Sequence, residues 1–424
     1  MARSAEELSI GSPAQRLHEC PDCGLVQWLP ETIPQGYVAQ CDRCAATLRR
    51  PRRATLGGSL ACVVCAAALS PFALTLPLLD IHVMGRFSRA ALLTGADVMG
   101  SRGRSLLGAV VVTTLVVVPA LEIALHVATW FGVSVRRRPR WLPWAFGLAQ
   151  RLAPYAMIDV FLLGAFVAYS RLLALARVDI GPSVVAAIAI MLALVCARAS
   201  LDPERVWNAV GPREGARDVH ARPLTSCPRC RLLNQAPAGA RCSRCGALLR
   251  ARKAHSVSST WALVLTGLIL YLPANVLPMM YVEHLGQVSA STILGGVVAL
   301  MNAGAWPLAL LVFVASVSVP LLKLVALGAM LVMTHARSTR GLRAATRAHR
   351  LVDVVGRWSM LDTFAVSTLT GLVHMGPLAT VRPGGAALPF CVLVLVTMFA
   401  TELFDTRLMW DAAAASAVRE GARR

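Results

Sequence analysis

Apolar and polar positions along this chain fall into long blocks rather than the short alternation of a soluble fold. Eight apolar segments stand out: Leu56–Leu79, Leu106–Phe131, Ala153–Ser170, Pro182–Ala197, Trp261–Met280, Pro307–Thr334, Met360–Val373 and Leu388–Phe404. About 20 residues rising 1.5 Å each cross the hydrocarbon core of a bilayer, so each segment predicts a transmembrane helix. The seventh is the shortest. Its start extends naturally towards Leu351, with Arg357 reaching back to the interface. Two further stretches, Ala90–Met99 and Ser291–Met301, are too apolar for free loops and predict short interfacial or re-entrant helices.

The blocks repeat. Cys44, Pro77 and Pro119 recur as Cys245, Pro278 and Pro320, each 201 residues on. Farther along the shift is 203, carrying Asp159 to Asp362, Asp202 to Asp405 and Trp207 to Trp410. Hydrophobicity alone aligns any two helices. Cysteine, proline and aspartate anchors kept in order over most of each half mark a duplication. The expected fold is an all-α polytopic membrane protein of two tandem repeats, each a small four-cysteine domain followed by about four transmembrane helices. The corresponding division is residues 1–55, first ribbon; 56–200, first membrane domain; 201–255, second ribbon; 256–410, second membrane domain; and 411–424, a tail. The repeat is parallel, so a pseudo-two-fold axis along the membrane normal is expected, with a functional interface between halves.

Composition sharpens this picture. With 56% hydrophobic and 15% charged residues, the chain has too little polar surface for a soluble protein of its length. The formal charge of +20 would suit a nucleic-acid binder. Basic loops between apolar helices give the same total, so no nucleic-acid partner is expected. The segments that lie on the N-terminal side of the membrane hold 34 of the 42 Lys and Arg, against 7 in the loops opposite. That asymmetry places both termini in the cytoplasm. No secretory signal, Walker-type phosphate loop, GxGxxG or HExxH is visible, and no arrangement for covalent catalysis. The chain is therefore read as a non-enzyme.

Chemistry is concentrated in the cysteines. Cys20 and Cys23 precede Cys41 and Cys44; Cys227 and Cys230 precede Cys242 and Cys245. A CxxC turn presents two thiolates to one tetrahedral metal, and two turns close a four-thiolate site. Cytoplasmic disulfides are disfavoured. About two zinc ions per chain are expected, zinc being preferred to iron because nothing else suggests redox work. Four protein ligands leave no open position, so the role is structural. Cys62, Cys65, Cys196 and Cys391 are read as small apolar filler.

At this point the chain resembles a known family. The tandem CPxC…CxxC knuckles, Pro273-Ala274-Asn275-Val276-Leu277-Pro278, Val319-Pro320-Leu321-Leu322-Lys323-Leu324 and the Met-x-Asp element together resemble the paraquat-inducible protein A family. The resemblance covers roughly residues 15–410. It implies a bacterial inner-membrane partner of periplasmic MCE-domain proteins, which form hydrophobic tunnels and carry lipid between the two membranes. On that resemblance the chain loads or unloads phospholipid at the inner-membrane end. The first half departs from the family pattern, reading Phe72-Ala73-Leu74-Thr75-Leu76-Pro77, so its role is expected to differ from that of the second.

Ionisable residues at membrane depth are costly and are functional candidates by default. Lys323 stands out because the chain has 40 Arg and only two Lys. An ammonium can lose its proton when desolvated; a guanidinium effectively cannot. Pro320 leaves the carbonyl of Ser316 without its helical donor, and Ser316 shares a face with Lys323. Pro119 and Pro320 are thus expected to open their helices. Glu122 occupies the turn equivalent to Lys323, so the two could pair across the pseudo-two-fold axis. Asp159, Asp362, Ser359 and Thr397 complete the expected polar network, whereas Glu402 reads as a helix-end residue. Two other functions remain open on these residues: a stand-alone proton-coupled exporter of small molecules, and a non-transporting adaptor that docks partners through its ribbons.

Overall fold

The computed structural model describes residues 15–30, 33–51, 56–83, 86–101, 105–135, 139–172, 177–211, 223–284, 287–373 and 379–421. The first ribbon is two small hairpins, β1 (Gln15–Glu19) with β2 (Val26–Pro30) and β3 (Ala39–Gln40) with β4 (Thr47–Arg49). Half one follows as α1 (Leu56–Thr75), β5 (Pro77–Val83), β6 (Arg86–Ala91), α2 (Thr94–Ser101), α3 (Ser105–Val112), α4 (Val118–Ser134), α5 (Leu142–Leu152), α6 (Ile158–Leu172), β7 (Arg177–Ile180), α7 (Pro182–Ser200) and α8 (Pro203–Val210). The second ribbon holds the hairpin β8 (Thr225–Ser226) and β9 (Leu233–Asn234). Half two repeats half one as α9 (Ser256–Val276), β10 (Met280–His284), β11 (Gln287–Ser291), α10 (Ile293–Asn302), α11 (Trp306–Phe313), α12 (Val319–His335), α13 (Leu342–Val355), α14 (Leu361–Leu372), β12 (Ala379–Pro383), α15 (Ala387–Leu403) and α16 (Arg407–Gly421).

Six helices are long and apolar enough to cross a membrane, or seven if the bent pair α15 and α16 counts as one span. The fold is the expected mostly helical tandem repeat, with one addition. The first and fifth apolar runs do not stay helical to their ends. A residue before proline is pushed out of the helical region, so α1 stops at Thr75 ahead of Pro77 and α9 at Val276 ahead of Pro278. The chain then continues as strands. Each half builds a three-stranded antiparallel sheet at the end of the molecule opposite the ribbons, in the order β6-β5-β7 and β11-β10-β12. The short helices expected after each sheet are α2 and α10, starting a few residues later than the apolar pattern suggested.

Two local departures from regular helix set up the interior. Between α3 and α4, residues Thr113–Val117 form a π turn, and between α11 and α12 Val314–Ser318 form another. Each ends two residues before a proline, Pro119 or Pro320. A proline ring clashes with the carbonyl four residues back and supplies no N–H; widening to i→i+5 relieves the clash while the helix continues. The third apolar segment also differs from expectation. Helix begins at Leu142, passes through a 3-10 turn at Ala153–Tyr155 and resumes as α6.

The halves meet through α6 and α14. Phe161 and Phe364 pack edge to face at 5.8 Å. Gly164 allows the approach, since a Cβ there would sit 2.9 Å from the Leu361 carbonyl oxygen. Every residue of α14 is buried, which explains why its pattern is not amphipathic. Two of its hydroxyls turn back on their own helix, Thr368 donating to Phe364 at 3.0 Å and Thr370 to Val366 at 2.9 Å.

The ribbons are seated crosswise. The first packs on half two: Arg350 of α13 donates to the carbonyl of Cys44 at 2.8 Å and pairs with Asp22 at 3.3 Å, and Thr406 donates to the Asp22 carbonyl at 2.8 Å. Arg43 stacks over Trp410 at 5.4 Å. The second packs on half one, where Phe146 of α5 and Trp207 of α8, 5.2 Å apart, lie in one cluster with Cys227, Cys230, Cys242 and Cys245.

Candidate functional site

Four CxxC turns fold alike. In each, the N–H of the first cysteine donates to the carbonyl five residues on, as from Cys20 to Leu25 and Cys227 to Leu232 at 2.8 and 2.9 Å. The residue after the second cysteine donates back to the first and takes a left-handed conformation: Gly24, Ala45, Arg231 and Gly246, with φ of 71°, 56°, 57° and 67°. Only glycine adopts that region without steric cost. Ala45 and Arg231 are held there by what the knuckle must do, which is to aim two thiols at one point.

The thiols converge accordingly. Cys20–Cys44 and Cys23–Cys41 lie at 3.5 Å, Cys227–Cys245 at 3.5 Å and Cys230–Cys242 at 3.6 Å. Within each set all four sulfurs lie within 4.8 Å of one another. A tetrahedral ion with sulfur at about 2.3 Å wants sulfurs about 3.8 Å apart, whereas a disulfide would need about 2.05 Å. All eight cysteines are free thiols. Packing thiols this closely sets their protons in conflict: the hydrogen bond from Cys23 lowers Cys20 to about 5, while burial pushes Cys44 up to about 12. A bound cation lets all four ionise together. The two clusters suit one metal ion each.

The membrane interior of half two gathers five of the expected polar residues in two adjoining groups. Lys323 on α12 is 1% exposed. Its ammonium donates to the Gly356 carbonyl at 3.0 Å and to Thr397 Oγ1 on α15 at 3.4 Å. Ser359 donates to the same Gly356 carbonyl at 2.8 Å. That carbonyl is available because Gly356–Met360 is a 3-10 turn rather than continuous helix. Gly356 also makes the approach possible, since a Cβ there would fall 2.4 Å from Lys323 Cε. Among the described residues no carboxylate lies within ion-pairing distance of Lys323; the charge that acts on it is Asp353 of α13. The 3-10 turn packs against the π turn of Val314–Ser318, next to a second group, in which Asp362 is buried beside Ser316 and the Arg171 guanidinium.

Half one is arranged differently. Glu122, fully buried, is held by Arg198 in a bidentate pair with both contacts at 2.6 Å. The pairing of Glu122 with Lys323 is therefore not formed: Glu122 is satisfied within its own half, by an arginine at the end of α7. Asp159, half-buried at the start of α6, takes no part in the hydrogen bonds around Lys323. Glu402 accepts from Tyr155 of half one, a contact across the halves that a helix-end reading does not supply. Of the remaining cysteines Cys391 is buried, Cys62 half-buried, and Cys65 and Cys196 exposed on the apolar flank.

Arg171, Asp353 and Gly356 were missed by reading the sequence. Arg171 sits at a span end, where arginines ordinarily turn to water; here α10 covers it, with Gly296 against the guanidinium. Asp353 looks like one more charge on the amphipathic α13, and Gly356 like a loop glycine. One available signal was that Gly356 stands three residues before Ser359 with no helix cap between them.

Comparison with known proteins agrees with this architecture. The family model described as paraquat-inducible protein A matches residues 56–211 and again 257–414. Lipophilic envelope-spanning tunnel protein A of Escherichia coli (strain K12) is 31% identical over 409 residues, covering 96% of this chain and 93% of that protein. Intermembrane transport protein PqiA of the same strain is 30% identical over 406 residues, covering 92% and 95%. A probable intermembrane transport protein of Haemophilus influenzae (strain ATCC 51907 / DSM 11121 / KW20 / Rd) is 26% identical over 409 residues, covering 95% and 97%. No solved structure matches. The repeated family match, with identity of about 30% over almost the whole length, places this membrane protein in the paraquat-inducible protein A family.

Proposed function

We propose that this chain is the inner-membrane subunit of a bacterial intermembrane lipid transport system. It loads or unloads phospholipid for a periplasm-spanning MCE-domain tunnel protein, with both ribbons in the cytoplasm and the paired sheets facing the periplasm. The observation that carries the reading is the near full-length match to a protein named for a lipophilic envelope-spanning tunnel, joined to two unlike interiors: a polar cluster around Lys323 in half two, and in half one a closed Glu122–Arg198 pair with an apolar cavity elsewhere in the same half. Beside the π turn of half one lies a small apolar cavity of about 80 Å³, lined by Leu74, Leu92, Leu115, Phe161 and Ile190. An acyl chain suits that lining. In half two, Lys323 has neutral hydrogen-bond partners and, among the described residues, no carboxylate within ion-pairing distance, and lysine, unlike arginine, is chemically able to release its proton. Movement of lipid between the halves is coupled to that proton. Zinc in the two clusters holds the ribbons folded.

Copurification is the test. Tagged full-length protein extracted from its native membrane in mild detergent should retain an MCE-domain protein and phospholipid at stoichiometric level. Recovery of the chain alone, together with efflux of small molecules by the chain alone in proteoliposomes, overturns this reading in favour of an exporter. Reporter fusions after Gly211 and after Arg424 should both read cytoplasmic; a periplasmic signal from either overturns the orientation.

A further inference from the structure

The two ribbons and the adjoining ends of α4, α5, α7 and α8 line an open cavity of about 610 Å³. That is the size of a small-molecule site, and its charge is one-sided. Seven arginines line it against two carboxylates, Asp202 and Glu204. Both carboxylates are engaged: Glu204 pairs with Arg49 at 2.7 Å, and Asp202 caps α8 and lies 3.8 Å from Arg205. Arg198 is likewise committed, to Glu122.

What remains is an unneutralised set. The side chains of Arg50 in the first ribbon and of Arg229 and Arg231 in the second make no hydrogen bond or ion pair among the described residues, yet all three line the cavity. Arg244, on the same wall, reaches Asn208 at 3.5 Å while its Nε is buried without a partner. A closed four-thiolate zinc site carries a formal charge of about −2, and the second cluster borders the cavity through Cys230. Even with that charge counted, the arginines keep the excess. Arg229 is half-buried and Arg50 and Arg231 reach solvent at the mouth; like charges gathered there repel one another, a cost that a bound anion would relieve. Arginine is the side chain whose fork matches phosphate oxygens. The remainder of the lining includes Leu17, Leu29, Phe146 and Leu233, so the anion has an organic body as well as a charge.

We propose that this cavity binds an organic phosphate anion, recognised by Arg50, Arg229 and Arg231, at the ribbon end of half one. The site joins parts of both ribbons and half one, so its ligand would hold them together. It does not depend on the transport reading. Two sources share the chemistry: the phosphate of an anionic lipid headgroup, and a soluble phosphate ester.

The test uses the full-length, zinc-loaded protein in a non-ionic detergent, with binding followed by titration calorimetry. The probes are dihexanoyl phosphatidylglycerol, dihexanoyl phosphatidylcholine and glycerol 3-phosphate. Saturable binding of at least one of the two anionic probes is expected. It should weaken roughly tenfold or more in Arg50→Gln/Arg229→Gln/Arg231→Gln, as the loss of charge-assisted phosphate contacts requires. Arg343→Gln/Arg347→Gln, two exposed arginines on α13, should bind as the parent does. Phosphatidylglycerol bound in preference to both other probes assigns the lipid source; glycerol 3-phosphate bound as tightly assigns the soluble one. Either supports the site. No saturable binding of either anionic probe overturns it, as does a loss in the α13 control equal to that in the cavity variant. Metal content and melting are measured alongside. If the triple variant loses metal, Arg50→Gln, whose side chain lies outside the knuckles, is read in its place.

Discussion

Trp207 and Trp410 stand 203 residues apart at equivalent places in the repeat, and each closes the cysteine cluster contributed by the opposite half. Trp207 packs into the second ribbon; Trp410 packs against the first, with its indole N–H donating to Thr346 at 3.2 Å. The unit of structure is therefore out of phase with the unit of sequence. A ribbon and the helices that follow it form the repeat in sequence, but a set of helices and the other half's ribbon form the packed body. The two stretches of the family match cover the helices without either ribbon and end at residues 211 and 414, just beyond the two tryptophans.

The metal clusters make the most direct prediction. Elemental analysis of freshly purified protein should find about two zinc ions per chain. Cys20→Ser and Cys227→Ser should each remove one and lower the yield of folded protein, because structural zinc supplies folding energy. Well-folded protein without bound metal contradicts the structural role.

Gly356 and Lys323 should fail together. In Gly356→Ala the new Cβ would fall 2.4 Å from Lys323 Cε, so the ammonium must leave its carbonyl. The expected loss of lipid transfer is roughly tenfold or more, the worth of a hydrogen bond to a charged group, and similar to that of Lys323→Ala, with expression and zinc content unchanged. Lys323→Arg should fail too, since it keeps the charge but holds its proton. Full activity of Lys323→Arg, measured at matched protein levels, removes proton exchange from the mechanism.

Glu122 should behave as a structural residue. Removing one partner of a buried ion pair strands the other charge, at a cost of about 3 kcal/mol; the part-exposed Arg198 moderates this. Glu122→Gln should lower the melting temperature of the detergent-solubilised protein, and Glu122→Gln/Arg198→Gln should recover part of the loss. A double variant less stable than the single shows that the pair is not the interaction at stake.

Asp405 ties the first ribbon's seat to pH. Burial would raise its carboxyl, but Arg407, which meets both carboxylate oxygens at 3.0 Å, outweighs burial and holds it below the ordinary value. A depressed carboxyl stabilises the fold above its unfolded pKa of about 3.9, and that contribution is lost as pH falls through the folded value. Asp405→Asn should therefore cost about 1–2 kcal/mol at neutral pH, and the difference from the parent should shrink as the pH falls below about 4. Melting curves of the two proteins across pH check this. A difference that stays constant in acid means that the charge is not the cause.

Much of this was legible in the chain, and the division is physical. Knuckles are local: the spacing of Cys20, Cys23, Cys41 and Cys44 already dictates a four-thiolate site. Helices announce themselves by length and hydropathy, and Pro119 and Pro320 announce where they widen. The strands at Pro77–Ala91 did not, because an apolar run entering a sheet looks like the tail of the span before it. Charge partners were harder still. Glu122 finds Arg198 rather than Lys323 because α7 returns beside α4 within half one, a fact of tertiary packing that no local pattern carries. Arg171 is turned inward for the same reason, by a helix from the other half. The expected network was thus half legible: Lys323, Ser359 and Thr397 meet, whereas Glu122 and Asp159 do not join them.

The crosswise seat of the first ribbon has a consequence in time. That ribbon leaves the ribosome about 300 to 370 residues ahead of α13 and α16, which receive it. At about 5–20 residues per second, the interval is roughly 20–80 s. During it the ribbon must stand as a folded miniature on its own ligands, since no helix is yet there to shelter Cys20 and Cys44. A metal suited to that cluster would be captured early in biogenesis, and docking of the ribbon on α13 and α16 would follow.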